Sequence, residues 1–151
     1  VQRSAAYACQ QRGEAEDAKY REQAIFGGDP VKETGKKRIW GWLKLSQVAE
    51  RAGRSNAKFR DPFFESRLNV ARCRYLAALK TEGDDKQQYL DKAKQSIQSM
   101  LLLYPDLGGD IWRTQYDSLM KQIQKSGDQQ ELGLEEFTND KAAKPIEKQS
   151  G

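Results

Sequence analysis

Apolar residues recur every three or four positions over much of the chain, which is the spacing of amphipathic helices. The clearest stripe lies in residues 61–79 and consists of Phe64, Leu68, Ala71, Tyr75 and Leu79. A second stripe lies in residues 85–104 and consists of Tyr89, Ala93, Ile97, Met100 and Tyr104. Nowhere do four or more β-branched or aromatic residues alternate with polar ones, as they do in half-buried strands. The pattern therefore predicts an all-α protein.

Capping and helix-breaking residues predict where the helices begin and end. We expect six helices, over residues 1–11, 14–26, 38–52, 61–79, 85–104 and 110–125. Asp61 and Asp110 are predicted as N-caps, because an Asp side chain accepts hydrogen bonds from the free amides of the first turn. Asp85 opens a start similar to a capping box, and Pro105 ends the fifth helix because proline has no amide hydrogen. Antiparallel helix pairs of this kind stack as a short α-solenoid, in which neighbours bury each other's apolar faces.

The segment after Gly127 differs in composition from the helical body. Residues 128–151 are polar and acidic, so we expect a helical domain over residues 1–127 and a largely disordered tail. One short apolar patch, Leu132–Phe137, interrupts the tail. It is either incidental or a segment that docks in a groove of the same or another molecule.

Charge is unevenly distributed along the chain. The net charge is +4, but residues 128–151 carry −3, which leaves +7 on the body. A basic body with an acidic tail suits an anionic partner or a tail that folds back, although charge runs are more often simply solvated. Lys36-Lys37-Arg38 beside Trp40 and Trp42 is a basic-aromatic cluster of the kind that binds nucleic acid. We expect these tryptophans to be core residues, which makes a nucleic-acid partner improbable.

The composition argues against an enzyme. The chain has no histidine, and no phosphate-binding loop, nucleophile elbow or metal-protease motif occurs, so we expect no catalytic residue, cofactor or metal site. The spacing of Cys9 and Cys73 indicates neither a zinc site nor a disulfide framework; both are expected to be buried thiols, and a single bridge between them stays open. No apolar run approaches the roughly 20 residues that span a membrane. Because the first residue is Val1 rather than Met, we expect the chain to be a fragment or a processed product of a longer polypeptide.

The helix pair over residues 61–105 resembles a tetratricopeptide repeat. Small, large, small and proline positions of that family correspond to Ala93, Ile97, Met100 and Pro105, with Met100 in place of the usual alanine. In the first helix, Val70-Ala71 is similar to the family's large-small pair, and Tyr75 lies one residue later than the usual aromatic.

The next helix is similar to the start of a further repeat. The residues that match are Trp112, Tyr116 and Leu119, and the second helix of that repeat is absent, so the sixth helix would act as a cap. Residues 103–112 are also similar to C-terminal repeat regions of large bacterial proteins.

The resemblance implies a superhelical stack whose concave face binds a peptide or a helix of a partner protein. The candidate contact residues are the polar ones on first helices of pairs: Arg67, Asn69, Arg72, Arg74, Arg113 and Gln115. Arginine and asparagine side chains grip backbone amides and carboxylates, although any one of these residues is more often an ordinary exposed polar residue. The sequence therefore favours a non-enzymatic interaction module or scaffold. The alternative is an assembly subunit that packs into a larger complex through exposed helical faces.

Overall fold

The computed structural model describes residues 1–15, 18–36 and 39–142, and every regular element in these ranges is a helix. The predicted all-α class is therefore confirmed for this part of the chain. The elements are α1 (Gln2–Ala15), α2 (Ala18–Phe26), α3 (Trp42–Gly53), a 3-10 turn (Ala57–Phe59), α4 (Arg60–Leu79), α5 (Gly83–Leu103), α6 (Asp110–Ser126) and α7 (Glu135–Ala142). No described helix is both long and apolar enough to cross a membrane.

Helix α4 lies at the centre and packs against α3 and α5, with further contacts to α2 and α6. The predicted stripe buries Phe64, Leu68 and Ala71, whereas Leu79 at its end is exposed. These residues join Ala93, Ile97 and Met100 of α5 and Tyr116, Leu119 and Ile123 of α6 in one core cluster. The hydroxyl of Tyr116 donates to the backbone carbonyl of Phe64 at 2.8 Å, so the α4–α6 contact satisfies a buried polar group as well.

A second core cluster holds the N-terminal helices against α4. Its largest member is Trp42, which is fully buried and donates its indole N–H to Gln10 Oε1 at 3.1 Å. Cys9 and Cys73 belong to this cluster and are buried thiols, and the disulfide between them that the sequence left open is not formed. Lys37 and Arg38, from the basic-aromatic cluster, lie outside the described residues.

The end of α2 and the segment before α3 are in direct backbone-to-backbone contact, with no side chain between them. A Cβ atom on Gly41 would overlap the carbonyl oxygen of Ile25 and the amide nitrogen of Gly27. The amide of Gly28 also donates to the carbonyl of Ile39 at 3.1 Å. Only glycine permits this approach at residue 41, because any other side chain would push the two helix ends apart.

The predicted caps differ from the observed ones. Helix α4 begins at Arg60, with Phe59 as N-cap, because the 3-10 turn capped by Asn56 continues directly into the helix. Asp61 lies within the first turn, and its Oδ1 accepts a hydrogen bond from Trp112 Nε1 at 2.9 Å instead. Gly109, with φ of 111°, is the N-cap of α6, so Asp110 is its first helical residue.

Helices α3 and α5 also begin at other residues than predicted. Helix α5 begins at Gly83, two residues before Asp85, with Glu82 as N-cap. Helix α3 begins only at Trp42, because Gly41 is extended there.

Unlike the largely disordered tail that the sequence predicted, residues 128–138 include the start of α7 and contact α5 and α6. Leu134 is 4% exposed and belongs to the first core cluster, and Phe137 packs against the same cluster. Gln124 is fully buried on α6. Its Oε1 accepts a hydrogen bond from the Gly133 amide at 2.7 Å, and its Nε2 donates one to Glu136 Oε2 at 2.6 Å. The Leu132–Phe137 patch therefore docks on its own molecule, because it supplies both an apolar side chain and partners for a buried amide. Residues 143–151 of the predicted tail lie outside the described residues.

Candidate functional site

One face of α4 forms the floor of a groove that follows the helix. The floor residues recur at spacings of three and four, as one helical face requires: Arg60, Phe63, Arg67, Val70, Arg74 and Ala77. They line three successive cavities of about 260, 210 and 350 Å³, of which the second and third share Arg74. Helices α2 and α3 provide one wall, and α5 with Tyr104 provides the other. We name this feature the α4 groove; at 1.5 Å per residue, α4 makes it about 30 Å long.

The first cavity is an apolar pocket at the N-terminal end of α4. Phe63, Phe64 and Tyr104 line it in edge-to-face geometry, with ring centroids of Phe63 and Tyr104 5.2 Å apart. The Tyr104 hydroxyl donates to Glu50 Oε1 at 3.4 Å, and Arg54 and Arg60 also line the cavity. We name it the aromatic pocket. It is suited to an apolar side chain, because aromatic rings offer large contact areas at little loss of conformational freedom.

Two arginines dominate the middle cavity, which we name the arginine site. Arg67 and Arg74 are seven residues apart and therefore project from the same face of α4. Nη1 of Arg74 donates to Ser96 Oγ at 2.5 Å and to the Lys92 carbonyl at 3.4 Å, while Nε of Arg67 donates to Met100 Sδ at 3.4 Å. The other lining residues are Leu43, Val70, Gln95 and Ser99.

The arginine site is positively charged and lacks a counter-charge of its own. No acidic residue lines the cavity, and neither arginine pairs with a carboxylate in the part of the chain that the structure describes. Burial, and then the positive charge of Arg67, lower the pKa of Arg74. Arginine nevertheless stays charged in proteins, so the site holds two partly desolvated cations. Such an arrangement attracts anions.

The third cavity lies where α2 approaches the C-terminal half of α4. Arg21, Ile25 and Phe26 of α2 face Tyr89 and Lys92 of α5 across it. Phe26 is 54% exposed although it is large and apolar. Together the three cavities are lined by six basic residues and two acidic ones: Arg21, Arg54, Arg60, Arg67, Arg74 and Lys92 against Glu22 and Glu50. The α4 groove is thus basic along its length, with apolar surface at both ends.

No protein-family model, curated protein or solved structure matches this chain.

The structure brings together only two of the six residues predicted to contact a partner. Arg67 and Arg74 share the arginine site, whereas Asn69 and Arg72 lie about 200° and 140° around the helix from Arg67. Asn69 is fully buried; its Nδ2 donates to the Tyr7 hydroxyl at 3.3 Å, and its Oδ1 accepts from Arg72 Nη1 at 2.8 Å. The side chain of Asn69 is therefore not exposed to a partner in this structure and connects α1 to α4 instead.

The two predicted residues of α6 lie away from the α4 groove. Arg113 donates to the carbonyl of Pro105 at 2.8 Å and lines a separate cavity of about 400 Å³ between α6 and α7. Gln115 is exposed on α6. The aromatic pocket and the α2 wall were not predicted from the sequence, although the alternation of arginine with Phe63 and Val70 along α4 indicates a second face of this helix.

Proposed function

We propose that the protein is a non-enzymatic interaction module whose α4 groove binds an acidic segment of a partner protein that also carries apolar side chains. The observation that carries this proposal is the arginine site, in which Arg67 and Arg74 are partly withdrawn from water without a carboxylate beside them in the described part of the chain. An incoming acidic side chain would gain charge-assisted hydrogen bonds there. The aromatic pocket would hold an apolar neighbour of that side chain.

The dimensions of the groove favour an extended segment over a helix. The middle cavity holds about 210 Å³, which is about half the volume of one turn of a helix 10 Å in diameter. At about 3.3 Å per residue, roughly nine residues of extended chain span the 30 Å of α4. Mixed charge and apolar contacts along such a segment would provide both orientation and affinity.

The tetratricopeptide-like arrangement is part of the same proposal. It is supported by the packing of α4 on α5 across a three-residue connection and by the contacts of α6 with both helices. In this arrangement α4 and α5 form one repeat and α6 caps the stack. The proposed binding face differs from the concave face expected from the sequence, because Asn69 and Arg72 on that side of α4 are occupied by each other and by Tyr7.

Two synthetic peptides test the groove: a nine-residue probe that alternates glutamate with phenylalanine or leucine, and its counterpart with lysine in place of glutamate. Fluorescence anisotropy should show binding of the acidic probe only. Arg67→Glu should weaken it by at least tenfold, or about 1.4 kcal/mol, because a paired charge is lost and a like charge is introduced.

The matched control is Arg51→Glu, an exposed charge reversal on α3 outside the cavities of the groove. It should change the affinity less than twofold. Equal losses in the two variants would mean that net charge alone attracts the probe, and would refute the groove as its binding site.

An assembly role is the second candidate, because large apolar side chains are exposed around the α5–α6 connection. Leu102, Leu103 and Ile111 are 62%, 68% and 77% exposed. If this surface packs into a larger complex, light scattering after size-exclusion chromatography should show concentration-dependent oligomers. Leu103→Ser should reduce them, and a monomer at all concentrations would argue against self-assembly through this surface.

A further inference from the structure

Several N–H donors of the two arginines in the arginine site make no hydrogen bond to the described part of the protein. Arg74 makes both of its hydrogen bonds through Nη1, and Arg67 uses only Nε, on a thioether sulfur that is a weak acceptor. Nη2 of Arg74 and both terminal nitrogens of Arg67 therefore have no protein acceptor among the described residues. Ser96, Ser99 and Gln95 add hydroxyl and amide groups to the same cavity. The site thus offers several donors, from two helices, to one small volume.

The charge in this cavity selects among anions. Two guanidinium groups carry two positive charges, and the charge of Arg67 acts unfavourably on Arg74. A carboxylate neutralises one of these charges, whereas a phosphate monoester carries about −1.5 to −2 near pH 7 and presents three acceptor oxygens. A phosphate therefore matches both the charge and the number of donors better than an aspartate or glutamate side chain does.

We infer that the arginine site binds the phosphate group of a phosphorylated side chain in the segment held by the α4 groove. This inference rests on the proposed function and specifies the central residue of the ligand. Each guanidinium donates to phosphate oxygens, and the Ser99 hydroxyl of α5 completes the contact, since the Ser96 hydroxyl already donates to the Lys92 carbonyl. Arginine suits this role because its planar fork of donors makes paired hydrogen bonds to phosphate.

The position of the site along α4 also predicts the spacing of the ligand. The midpoint of Arg67 and Arg74 is seven to eight residues from Phe63, which corresponds to about 11 Å along the helix axis. About three residues of an extended segment cover this distance. An apolar side chain three residues from the phosphorylated residue would therefore reach the aromatic pocket.

The first test uses inorganic phosphate on the whole chain at constant ionic strength. Titration followed by ¹H–¹⁵N NMR should shift the Nε–H signals of Arg67 and Arg74 saturably, whereas acetate should bind at least tenfold more weakly. Arg67→Gln and Arg74→Gln should abolish the saturable shift, and Arg51→Gln should retain it. Equal binding of acetate, no saturable shift with phosphate, or a shift that survives in both groove variants would each overturn the inference.

The second test uses a nine-residue peptide with phenylalanine three residues from a central phosphoserine, serine or glutamate. The phosphopeptide should bind at least tenfold more tightly than the glutamate peptide, and Arg67→Lys should reduce this preference because lysine lacks the planar fork. Circular dichroism confirms that each variant is folded. If the glutamate peptide binds as tightly as the phosphopeptide and its binding depends on Arg67, the phosphate inference fails and the groove proposal stands. If no peptide binds, both fail.

Discussion

Replacing Leu134 by alanine is expected to destabilise the whole helical body, even though Leu134 follows the last core helix in sequence. The side chain is 4% exposed and contacts the core cluster that includes α4, α5 and α6. Its backbone amide donates to Asp117 Oδ1 at 2.9 Å, and the preceding residue is held by Gln124. Loss of the side chain therefore leaves a void beside groups that are fixed in place.

The size of the effect follows from the position of the site. Leu→Ala substitutions in cores cost about 2–5 kcal/mol, and the cost falls where the surroundings can collapse into the void. Leu134 lies at the margin of the core on a short connecting segment, which allows some collapse, so we expect about 2–3 kcal/mol. At about 4 °C per kcal/mol for a chain of this size, the melting temperature should fall by roughly 8–12 °C.

Urea unfolding followed by circular dichroism measures this prediction. The matched control is Leu103→Ala, because Leu103 is 68% exposed and its loss should change stability by less than about 0.5 kcal/mol. A similarly small effect for Leu134→Ala would refute the conclusion that the segment around Leu134 is part of the folded core. Unfolding of the variant should also remain a single transition, since the segment shares its core with α4–α6.

Two further perturbations test other features. Gly108→Ala should lower the free energy of unfolding in urea by about 2–4 kcal/mol, because φ is +86° and the new methyl group would overlap the ring of Phe64. The control Gly35→Ala, where φ is +64° but the space is open, should lower it by only about 1 kcal/mol. Equal losses would refute the steric argument. Burial alone would raise the pKa of Glu136, but hydrogen bonds from Lys94 and Gln124 outweigh it and hold this pKa below the ordinary value. The stabilisation by Glu136 should therefore be complete above its unfolded pKa of about 4.3 and be lost as the pH falls through the lower folded pKa. The difference in unfolding free energy between the unmodified protein and Glu136→Gln should therefore shrink between pH 6 and pH 3.

Local patterns predicted the core but not the pairing of polar groups. The apolar stripe of α4 correctly identified Phe64 and Leu68 as buried, because helical periodicity alone determines which side chains share a face. Asn69 and Gln124 are equally buried, yet their partners, Tyr7 and Gly133, are set by the tertiary fold. A polar side chain on a helix gives no local sign of such a partner.

The residues of the arginine site follow from the sequence only in part, for a related reason. Arg67, Arg72 and Arg74 are all basic residues of α4, but Arg72 lies on another side of the helix from the arginine site. The walls of the groove come from α2, α3 and α5, which meet α4 only through the tertiary packing. A single stripe in the sequence therefore indicated the floor and could not define the walls.

The glycine contact between α2 and α3 has a consequence for the binding proposed for the α4 groove. Because backbone touches backbone at Gly41, with no side chain between, the two helix ends have little freedom to hinge against each other. We therefore expect the adjoining ends of α2 and α3 to move together, so that widening of the groove would displace this wall as a unit or move α5. Because this wall is already ordered before binding, less conformational entropy is lost when a ligand binds, and this favours affinity in a shallow site. Replacing Gly41 by a larger residue should therefore weaken the proposed ligand binding, although Gly41 does not line the groove.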